Sequence, residues 1–453
     1  MGRRVDVVVV GAGLAGMTAA YALRDRDVLV LEAEAQIGGR SSRGAIGGLD
    51  ETIGAEGWYD LNPDSPESRL IAELGIELRP AAGRDGLIVG DRLLTPDTLD
   101  ELLAGLDVEA DAKDDLTRTW ERVNAECAAL GDPGTAPARI EELLAVSSTD
   151  WLGDCHPQVM TFYRRLYATE FSSPLDVLPA LFLMYGLPRY GGAMSGAWGT
   201  FLVPEGGCPD ITAAMSGALA TPPVTSALVT SVDGGVVTYR EGSELRSVTA
   251  SHVVVATPPR VTERLVRGLP TWKLAALRHI ESHPGIEVLL TVEHEGTAGW
   301  DQLSAAWSLD TSFTIVLPSQ TYRERQGTTA VIHLLCFGEA AMPYLDRADN
   351  TQVADAFEAD FVAVFPEASG RVRERLVRRW SEGVPMPRMG YEDHVEALLR
   401  PVGPMHFAGD YVAFVSPDTP GGVGLEGKWE ELTVTVGANA AVRSGLRAAA
   451  EVS

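Results

Sequence analysis

Three glycines and one glutamate near the N-terminus have the spacing of a nucleotide-binding turn. Gly11, Gly13 and Gly16 form the pattern Gly-x-Gly-x-x-Gly, and Glu32 follows about 20 residues later, where a ribose-binding acid is expected. The first glycine of this pattern permits a tight turn, the second lets the backbone approach a pyrophosphate, and the third lets a helix pack closely on a strand. The helix N-terminus attracts anions. The spacing therefore predicts a bound dinucleotide, and the acid argues against NADP because it would repel a 2′-phosphate.

The elements that must position these residues surround them in the sequence. Residues 7–10 are an apolar β-branched run, typical of a buried parallel strand, and Val28–Leu31 is a second such run. Gly38, Gly39 and Arg40 then form another glycine turn, which carries an arginine and suits a longer dinucleotide, FAD rather than NAD. The residues expected to contact the cofactor in this stretch are Gly11, Ala12, Gly13, Leu14, Ala15, Gly16, Glu32, Ala33, Gly39 and Arg40.

Residues 5–40 resemble the flavin amine oxidase superfamily, in which the same glycine motif, acid and second glycine turn occur together. That superfamily includes monoamine and polyamine oxidases, L-amino acid oxidases, protoporphyrinogen oxidase and phytoene desaturases. The resemblance implies an α/β fold with a discontinuous Rossmann-type FAD-binding domain. It also implies an interleaved α+β substrate domain, in which a sheet is flanked by helices.

Later segments are similar to the places where this superfamily contacts FAD. Residues 54–58, Gly-Ala-Glu-Gly-Trp, resemble the segment that passes along the flavin, and residues 407–410, Phe-Ala-Gly-Asp, resemble the motif that meets the ribityl chain and phosphates. The contacts implied by resemblance are Gly54, Ala55, Glu56, Val229, Ala256, Trp380, Gly409, Asp410, Gly424 and Leu425. Monoamine oxidases attach FAD through a cysteine, but no cysteine lies near Trp380 or Tyr391, so we expect non-covalent FAD.

The resemblance also implies how the chain is divided. Residues 1–60, 200–260 and 396–453 are expected to form the FAD-binding domain. Residues 61–199 and 261–395 are expected to form the substrate-binding domain, and they contain no motif that identifies a substrate.

Three residues are candidates for catalysis. Glu56 would face the reactive ring of the flavin, where it could accept a proton from an ammonium group; the alternative is a glutamate in an exposed loop. Trp380 and Tyr391 match the superfamily's aromatic positions loosely and could hold an amine between their rings. The alternative for Trp380 is packing between the domains. The sequence contains no metal-ligand spacing, so we expect no metal.

Composition limits the partners and the compartment. The chain has 453 residues and a formal net charge of −26, which should repel nucleic acid and anionic membranes. Its four cysteines are far apart and form no Cys-x-x-Cys pair, which is typical of free thiols in a reducing compartment. No apolar run approaches the roughly 18 residues of a membrane span. We therefore expect a cytoplasmic protein without stable membrane insertion, and we leave a homodimer open.

The resemblance implies an FAD-dependent enzyme that oxidises a C–N bond of an amine, amino acid or amide-type natural product to an imine or iminium. Hydride would pass to flavin N5 and electrons then to O2, and the composition suits a bacterial biosynthetic pathway of secondary metabolism. Many amine oxidases carry a lysine near N5, but the matching position here is about Glu287. An alternative is therefore dehydrogenation of carbon bonds in a large apolar substrate, as in protoporphyrinogen oxidase or desaturases. A third interpretation is a non-enzymatic FAD-stabilised scaffold.

Overall fold

Two large mixed sheets, the two-stranded sheet β3-β4, the three-stranded sheet β5-β9-β6 and a set of helices make up the described chain. The computed structural model describes residues 3–60, 66–130, 136–186, 200–320, 328–345, 349–386, 388–412 and 437–452. The strands are β1 (Arg3–Val10), β2 (Val28–Leu31), β3 (Ser41–Ile46), β4 (Leu49–Gly54), β5 (Trp58–Asp60), β6 (Leu78–Pro80), β7 (Arg84–Val89), β8 (Arg92–Leu94), β9 (Thr200–Pro204), β10 (Ala227–Asp233), β11 (Val236–Glu241), β12 (Glu244–Val255), β13 (Glu281–Glu293), β14 (Leu303–Ser308), β15 (Ile315–Pro318), β16 (Thr329–Phe337), β17 (Val372–Met386) and β18 (Met405–Phe407).

The α-helices lie between and after these strands, joined in places by short 3-10 turns. They are α1 (Leu14–Ala22), α2 (Pro66–Glu73), α3 (Leu99–Gly105), α4 (Ala110–Leu130), α5 (Ala136–Leu144), α6 (Ser148–Leu152), α7 (Pro157–Phe171), α8 (Leu183–Gly186), α9 (Pro209–Gly217), α10 (Pro259–Leu265), α11 (Thr271–His279), α12 (Met342–Leu345), α13 (Asn350–Val364), α14 (Val395–Leu399) and α15 (Ala438–Val452). None of these described helices is long and apolar enough to cross a bilayer.

The first sheet has the strand order β10-β11-β12-β1-β2, and β18 pairs with β12. Strand β1 lies parallel to both of its neighbours, with Val7 opposite Val28 and Val10 opposite Val255. Residues 7–10 are buried, and this explains their apolar β-branched sequence, because a central parallel strand is covered on both faces. Strand β18 joins the same sheet from near the C-terminus, parallel to β12.

Helices α1 and α15 pack against each other on this sheet. The close approach of the two helices requires Gly445 in α15, since a Cβ atom there would lie only 2.4 Å from the carbonyl oxygen of Ala15. The C-terminal helix is thereby fixed on the helix that follows the glycine turn.

The second sheet has the order β17-β13-β16-β15-β14-β7-β8. Alternate residues of β13 and β16 point to opposite faces. One face, with Ile286, Val288 and Leu334, packs in a hydrophobic core with Phe357 and Phe361 of α13. The other face carries Leu289 and Val331, which pack with Ile46 of the β3–β4 hairpin. The hairpin that follows the second glycine turn is therefore held against the second sheet.

The segment from α3 to α8 forms a separate helical core. Helices α3–α8 surround Trp120, Tyr163 and Tyr167, which are almost fully buried. Segments 61–199 and 261–395 share the second sheet, since β7 pairs with β14. The expected α/β class with a Rossmann-type sheet is confirmed, whereas the domain boundaries in residue numbers stay a prediction.

Candidate cofactor and substrate site

A cavity lies at the carboxyl ends of β1, β12 and β18, the edge at which open parallel sheets bind ligands. Gly13 follows β1, Ala256 follows β12 and Gly409 follows β18, and all three line the cavity. The first sheet thus delivers three segments, far apart in sequence, to one edge.

The glycine turn has the geometry that a pyrophosphate requires. Gly11 has φ +100°, and a Cβ atom on Gly16 would lie 2.0 Å from the carbonyl oxygen of Gly11. By contrast, the nearest atom to a Cβ on Gly13 would be the Gly38 carbonyl oxygen, 3.9 Å away. The backbone of the turn therefore requires glycine at positions 11 and 16, whether or not a ligand is bound. The space beside Gly13 opens into the cavity at the start of α1.

Glu32 is held in place by backbone groups at the end of β2. Its Oε2 accepts a 2.7 Å hydrogen bond from the N–H of Ala12, and its Oε1 accepts one of 2.9 Å from the N–H of Glu34. The carboxylate is buried. Each oxygen retains a lone pair that could accept a ribose hydroxyl. Gly11, Ala12, Gly16, Glu32 and Ala33 do not line the described cavity directly; they shape the turn beside it.

Arg40 and Asp410 form an ion pair at the cavity surface. Arg40 donates two hydrogen bonds of 2.8 Å to the two oxygens of Asp410, and its Nη1 also donates to the carbonyl oxygen of Gly383. All three residues line the cavity. The pair therefore joins the second glycine turn, the segment after β18 and strand β17.

The segment after β18 is supported by α15. The N–H of Gly409 donates to Ser444 Oγ at 2.9 Å, and Ser444 donates to the carbonyl oxygen of Ala441. Ala438 and Ala441 line the cavity. Small side chains on this face of α15 leave room at the cofactor end of the site.

An apolar wall closes the cavity on the side of the second sheet. Leu335 and Phe337 of β16 and Trp380 and Val384 of β17 line it. Trp380 thus lies at the cavity, and its predicted roles in holding an amine and in contacting FAD stay predictions. Gly54 and Ala55 also line the cavity and lie between this wall and the glycine turns.

Tyr391 does not line the cavity, which differs from its predicted role beside the substrate. It is 7% exposed and packs with Leu398 and Val412, and its hydroxyl donates to the carbonyl oxygen of Tyr411 at 3.3 Å. Tyr411 lines the cavity instead. Sequence reasoning missed Tyr411, although its position directly after Gly409 and Asp410 was a usable signal.

Glu56 is buried beside the cavity and does not line it. The side chain is 8% exposed, and its Oε1 lies 2.8 Å from Nε2 of His333 on β16. Nδ1 of His333 lies 2.8 Å from Oε1 of Glu287, whose Oε2 accepts a hydrogen bond from the N–H of Gly54. Glu56 therefore does not lie in an exposed loop, and its place at the flavin ring stays a prediction. His333 was missed by sequence reasoning, and its one signal was a polar residue within the apolar run of β16.

His333 is held as a cation by its neighbours. Burial alone would lower the pKa of His333, but the negative charges of Glu56 and Glu287 and their hydrogen bonds outweigh burial and raise the pKa well above its ordinary value. Glu51 lies nearby, and burial raises the pKa of its carboxyl although the charge of His333 opposes this.

Two groups of described residues bring together side chains of the types that bind metal ions. Side-chain atoms of Glu51, Glu56 and His333 lie within 4.8 Å of one another, as do those of Glu109, Asp111 and His156. Glu51 already accepts hydrogen bonds from the N–H of Thr52 and from Ser319 Oγ. The second group is exposed apart from His156.

One further predicted contact lies away from the described cavity. Val229 is buried in β10, opposite Tyr239, and does not reach the cavity. Gly424 and Leu425 lie outside the described residues.

The site fits FAD. The turn provides an open path for a pyrophosphate, Glu32 presents a fixed carboxylate, and the cavity continues past the Arg40–Asp410 pair to an apolar wall that suits a flat ring. The four cysteines are free thiols, and in the described chain none lines the cavity, as non-covalent binding requires. A Rossmann-type sheet with this site defines the class: an FAD-dependent oxidoreductase.

The chain belongs to the family of flavin-containing amine oxidoreductases, whose model matches residues 14–453. It is 30% identical to coproporphyrinogen III oxidase of Mycobacterium tuberculosis over 444 residues, which cover 93% of this chain and 95% of the relative. It is 26% identical to polyamine oxidase 2 of Arabidopsis thaliana over 146 residues, which cover 32% of this chain and 29% of the relative.

Solved structures of amine oxidases share the fold. Putrescine oxidase bound to putrescine superposes with a TM-score of 0.71 at 21% identity, covering 100% of this chain and 99% of that one. Cyclohexylamine oxidase from Brevibacterium oxydans gives 0.71 at 19% identity, covering 99% and 98%. The protein is thus an FAD-dependent oxidoreductase of this family, and the family's cofactor is the one its site fits.

Proposed function

We propose that this protein oxidises a C–N bond of an amine, amino acid or amide-type natural product to an imine or iminium. The observation that carries the proposal is one cavity in which the FAD cradle meets an apolar wall containing Trp380. When bound, FAD accepts a hydride at N5. The protein must therefore place a substrate C–H bond against the ring and keep water away.

The residues of the wall perform both tasks. Leu335, Phe337 and Val384 exclude water, which favours the neutral form of an amine, the form whose nitrogen lone pair promotes loss of hydride. Trp380 offers a ring face against which a substrate can be oriented. Arg40 is paired with Asp410, so this cation is engaged at the cofactor end of the site.

O2 is the proposed electron acceptor. The Gly-x-Gly-x-x-Gly pattern recurs in the sequence only at residues 422–427, and no apolar β-branched run directly precedes it there, so we assign no nicotinamide-binding domain to the sequence. The products of each turnover would then be an imine or iminium and hydrogen peroxide.

Anaerobic mixing tests the proposal. The purified yellow protein is mixed with panels of amines, amino acids and amides while flavin absorbance is followed. We expect one of these compounds to bleach the flavin, and we expect colour to return with peroxide when air is admitted. A protein that no C–N compound bleaches would contradict the proposal, and a colourless protein would contradict FAD binding.

A second candidate is dehydrogenation of carbon bonds in a large apolar substrate such as a porphyrinogen. Two observations favour it. The relative matched over 93% of the chain is a coproporphyrinogen III oxidase, and Glu287 stands where many amine oxidases carry a lysine. Adding coproporphyrinogen and protoporphyrinogen to the same anaerobic assay separates the two candidates. A porphyrinogen oxidase is bleached by a porphyrinogen and not by amines, whereas an amine oxidase is bleached by an amine.

We also infer a cytoplasmic location and a role in bacterial secondary metabolism. All four cysteines are free, as in proteins of reducing compartments. Cell fractionation tests the location, and deletion of the gene followed by metabolite profiling tests the role. A homodimer stays a hypothesis that light scattering of the holoenzyme decides.

A further inference from the structure

Three buried carboxylates lie around a single imidazole, next to the cavity but outside its lining. The imidazole is that of His333 on β16, and the carboxylates are those of Glu51 on β4, Glu56 after β4 and Glu287 on β13. Buried charges are stable only when neighbouring groups compensate them. Even an imidazolium would compensate just one of the three negative charges that ionised carboxylates bring to this cluster.

The two ring nitrogens of His333 have different surroundings. Nδ1 and Oε1 of Glu287 form a hydrogen bond of 2.8 Å, and Oε2 of Glu287 accepts a hydrogen bond of 2.9 Å from the N–H of Gly54. An ionised carboxylate only accepts hydrogen bonds, so Nδ1 carries the hydrogen. Histidines that bind metal ions share this arrangement, because a carboxylate on one nitrogen orients the ring and makes the other nitrogen a better ligand.

The other nitrogen, Nε2, faces groups that also carry lone pairs. Oε1 of Glu56 lies 2.8 Å from Nε2, and one side-chain atom each of Glu51, Glu56 and His333 lie within 4.8 Å of one another. His333 is fully buried and Glu56 is 8% exposed. Within the described chain, neither Nε2 of His333 nor Oε1 of Glu56 has an aligned hydrogen-bond partner. Two buried ligand atoms therefore face each other with their lone pairs available to a cation.

Glu51 is already oriented for such a role. Its Oε1 accepts a hydrogen bond of 2.9 Å from the N–H of Thr52, and its Oε2 accepts one of 2.8 Å from Ser319 Oγ. Each oxygen keeps a second lone pair. Carboxylates that bind metal ions are commonly held by hydrogen bonds in this way. The ligands come from strands far apart in sequence, so the spacing of residues along the chain did not predict this group.

We propose that Glu51, Glu56 and His333 bind one Zn²⁺ ion and that Glu287 orients His333 for it. Imidazole nitrogen selects transition-metal ions over Mg²⁺ and Ca²⁺, which prefer oxygen ligands. Zn²⁺ binds such nitrogen and oxygen atoms at about 2.0–2.2 Å in tetrahedral geometry, which places the ligand atoms about 3.3–3.6 Å apart. The carboxylate of Glu56, now 2.8 Å from Nε2, would therefore move outward when the ion binds.

Binding exchanges a proton for the ion and involves no redox step. Nε2 must be deprotonated to donate its lone pair to Zn²⁺, so the proton that makes His333 a cation is released to solvent. Glu56 and His333 do not line the described cavity, so the role of the ion is structural. It would join β16 to the turn after β4, whose Gly54 and Ala55 border the cavity. The inference does not depend on which bond the flavin oxidises.

Equilibrium dialysis of the untagged holoprotein against Zn²⁺ tests the proposal. Metal is first removed with a chelator, and the visible spectrum verifies that FAD remains. We expect one Zn²⁺ per chain, and we expect the midpoint of thermal unfolding to rise when Zn²⁺ is restored, because an ion that binds the folded state alone stabilises it. A stripped holoprotein that binds no Zn²⁺ would show that the cluster is an ion-pair network, and the inference would be wrong.

Two variants of the cluster and a matched control locate the ion. Glu51→Gln removes a charged ligand and should abolish stoichiometric binding. Glu287→Gln keeps all three ligands but weakens the hydrogen bond to Nδ1, so the dissociation constant of Zn²⁺ should rise about 10- to 100-fold with the stoichiometry unchanged. Glu109→Gln makes the same chemical change in the group of Glu109, Asp111 and His156, where Glu109 is exposed, and should alter neither quantity.

X-ray absorption at the zinc edge tests the ligand set in wild type, whether or not any variant folds. We expect nitrogen and oxygen neighbours at about 2.0–2.1 Å, with the scattering pattern of one imidazole. A sulfur neighbour at about 2.3 Å would assign the ion to a thiol and overturn the proposal. Zn²⁺ binding that Glu109→Gln loses and Glu51→Gln retains would also overturn it. The bleaching assay measures neither quantity, so the proposed oxidation and this inference can fail separately.

Discussion

The guanidinium of Arg40 and the carboxylate of Asp410 make two hydrogen bonds of 2.8 Å across a sequence separation of 370 residues. Asp410 has a side chain only 5% exposed, and both residues line the cavity. Paired charges with two aligned hydrogen bonds fix orientation as well as contributing energy. Two segments that are separated by 370 residues therefore meet at the cofactor site.

Replacing Asp410 should weaken cofactor binding. Asp410→Ala removes both hydrogen bonds and leaves Arg40 unpaired, so we expect the dissociation constant of FAD to rise at least tenfold, about 1.4 kcal/mol. Fluorescence titration of the apoprotein with FAD measures it. Glu244→Ala, which removes the surface partner of Arg246, is the control and should leave the constant unchanged. Equal constants for both variants would contradict a role for the pair.

Alanine substitutions at two glycines of the turn should have different effects. Gly16→Ala brings a methyl group 2.0 Å from a backbone oxygen, so the free energy of unfolding of the apoprotein should fall by about 2 kcal/mol or more. The methyl group of Gly13→Ala would meet no protein atom closer than 3.9 Å, so the free energy of unfolding of the apoprotein should not change. The affinity for FAD should fall. Urea unfolding and FAD titration measure the two effects. A Gly13→Ala protein with normal FAD affinity would show that the pyrophosphate lies elsewhere.

Replacing Trp380 should slow the reaction with substrate more than it weakens the binding of FAD. Trp380→Ala removes most of one side of the apolar wall, so we expect bleaching at subsaturating substrate to slow at least about tenfold while FAD is retained. Stopped-flow absorbance gives the rate and the visible spectrum gives the FAD content. Trp272→Ala removes a tryptophan that is 36% exposed on α11 and should leave the rate unchanged. Loss of FAD from Trp380→Ala would assign the ring to cofactor binding instead.

Lys273 should make stability depend on pH. Its side chain is fully buried, its Nζ donates to the carbonyl oxygen of Leu398 and lies 3.9 Å from the Phe407 ring, and burial lowers its pKa to about 7. The unfolded chain holds this proton up to its ordinary pKa of about 10.4. The folded state therefore bears the cost of a buried charge below pH 7, and this cost falls as pH rises towards 10.

Lys273→Met removes that cost at every pH. The unfolding free energy of Lys273→Met minus that of wild type should be most positive below pH 7 and should decrease by up to about 2 kcal/mol between pH 7 and pH 9. Urea unfolding of both proteins at each pH measures the difference. Lys113→Met, at a half-exposed site, should give a difference that does not vary with pH. A flat difference for Lys273→Met would show that its pKa is ordinary.

Local patterns predicted the N-terminal site because its parts interact over short distances. The turn from Gly11 to Gly16 depends on backbone sterics within a few residues, and the acid at Glu32 follows from the length of one helix and one strand. Trp380 could also be placed, through resemblance, at the cavity. The fold class followed from the same segment, since a glycine turn between buried strands is used in few architectures.

The environment of Glu56 could not be predicted because it depends on the register of distant strands. His333 meets Glu56 only because β16 pairs with β13 in the register that sets Leu335 opposite Glu287. A shift of one residue would turn His333 to the other face. Spacing along the chain does not reveal which aromatic ring faces the cavity. For this reason the sequence predicted Tyr391 beside the substrate and gave no prediction for Tyr411, which lines the cavity.

The packing of α15 against α1 has a consequence for how the protein acquires its cofactor. Ala438 and Ala441 border the site, and Ser444 holds Gly409, so the cradle contains residues that are synthesised long after the glycine turn. A nascent chain that already displays Gly13 and Arg40 still lacks Asp410 and this helix. Stable loading of FAD must therefore wait until α15 has been synthesised and has packed against α1. A fusion that unwinds α15 would then yield apoprotein even though every residue of the N-terminal turn is intact.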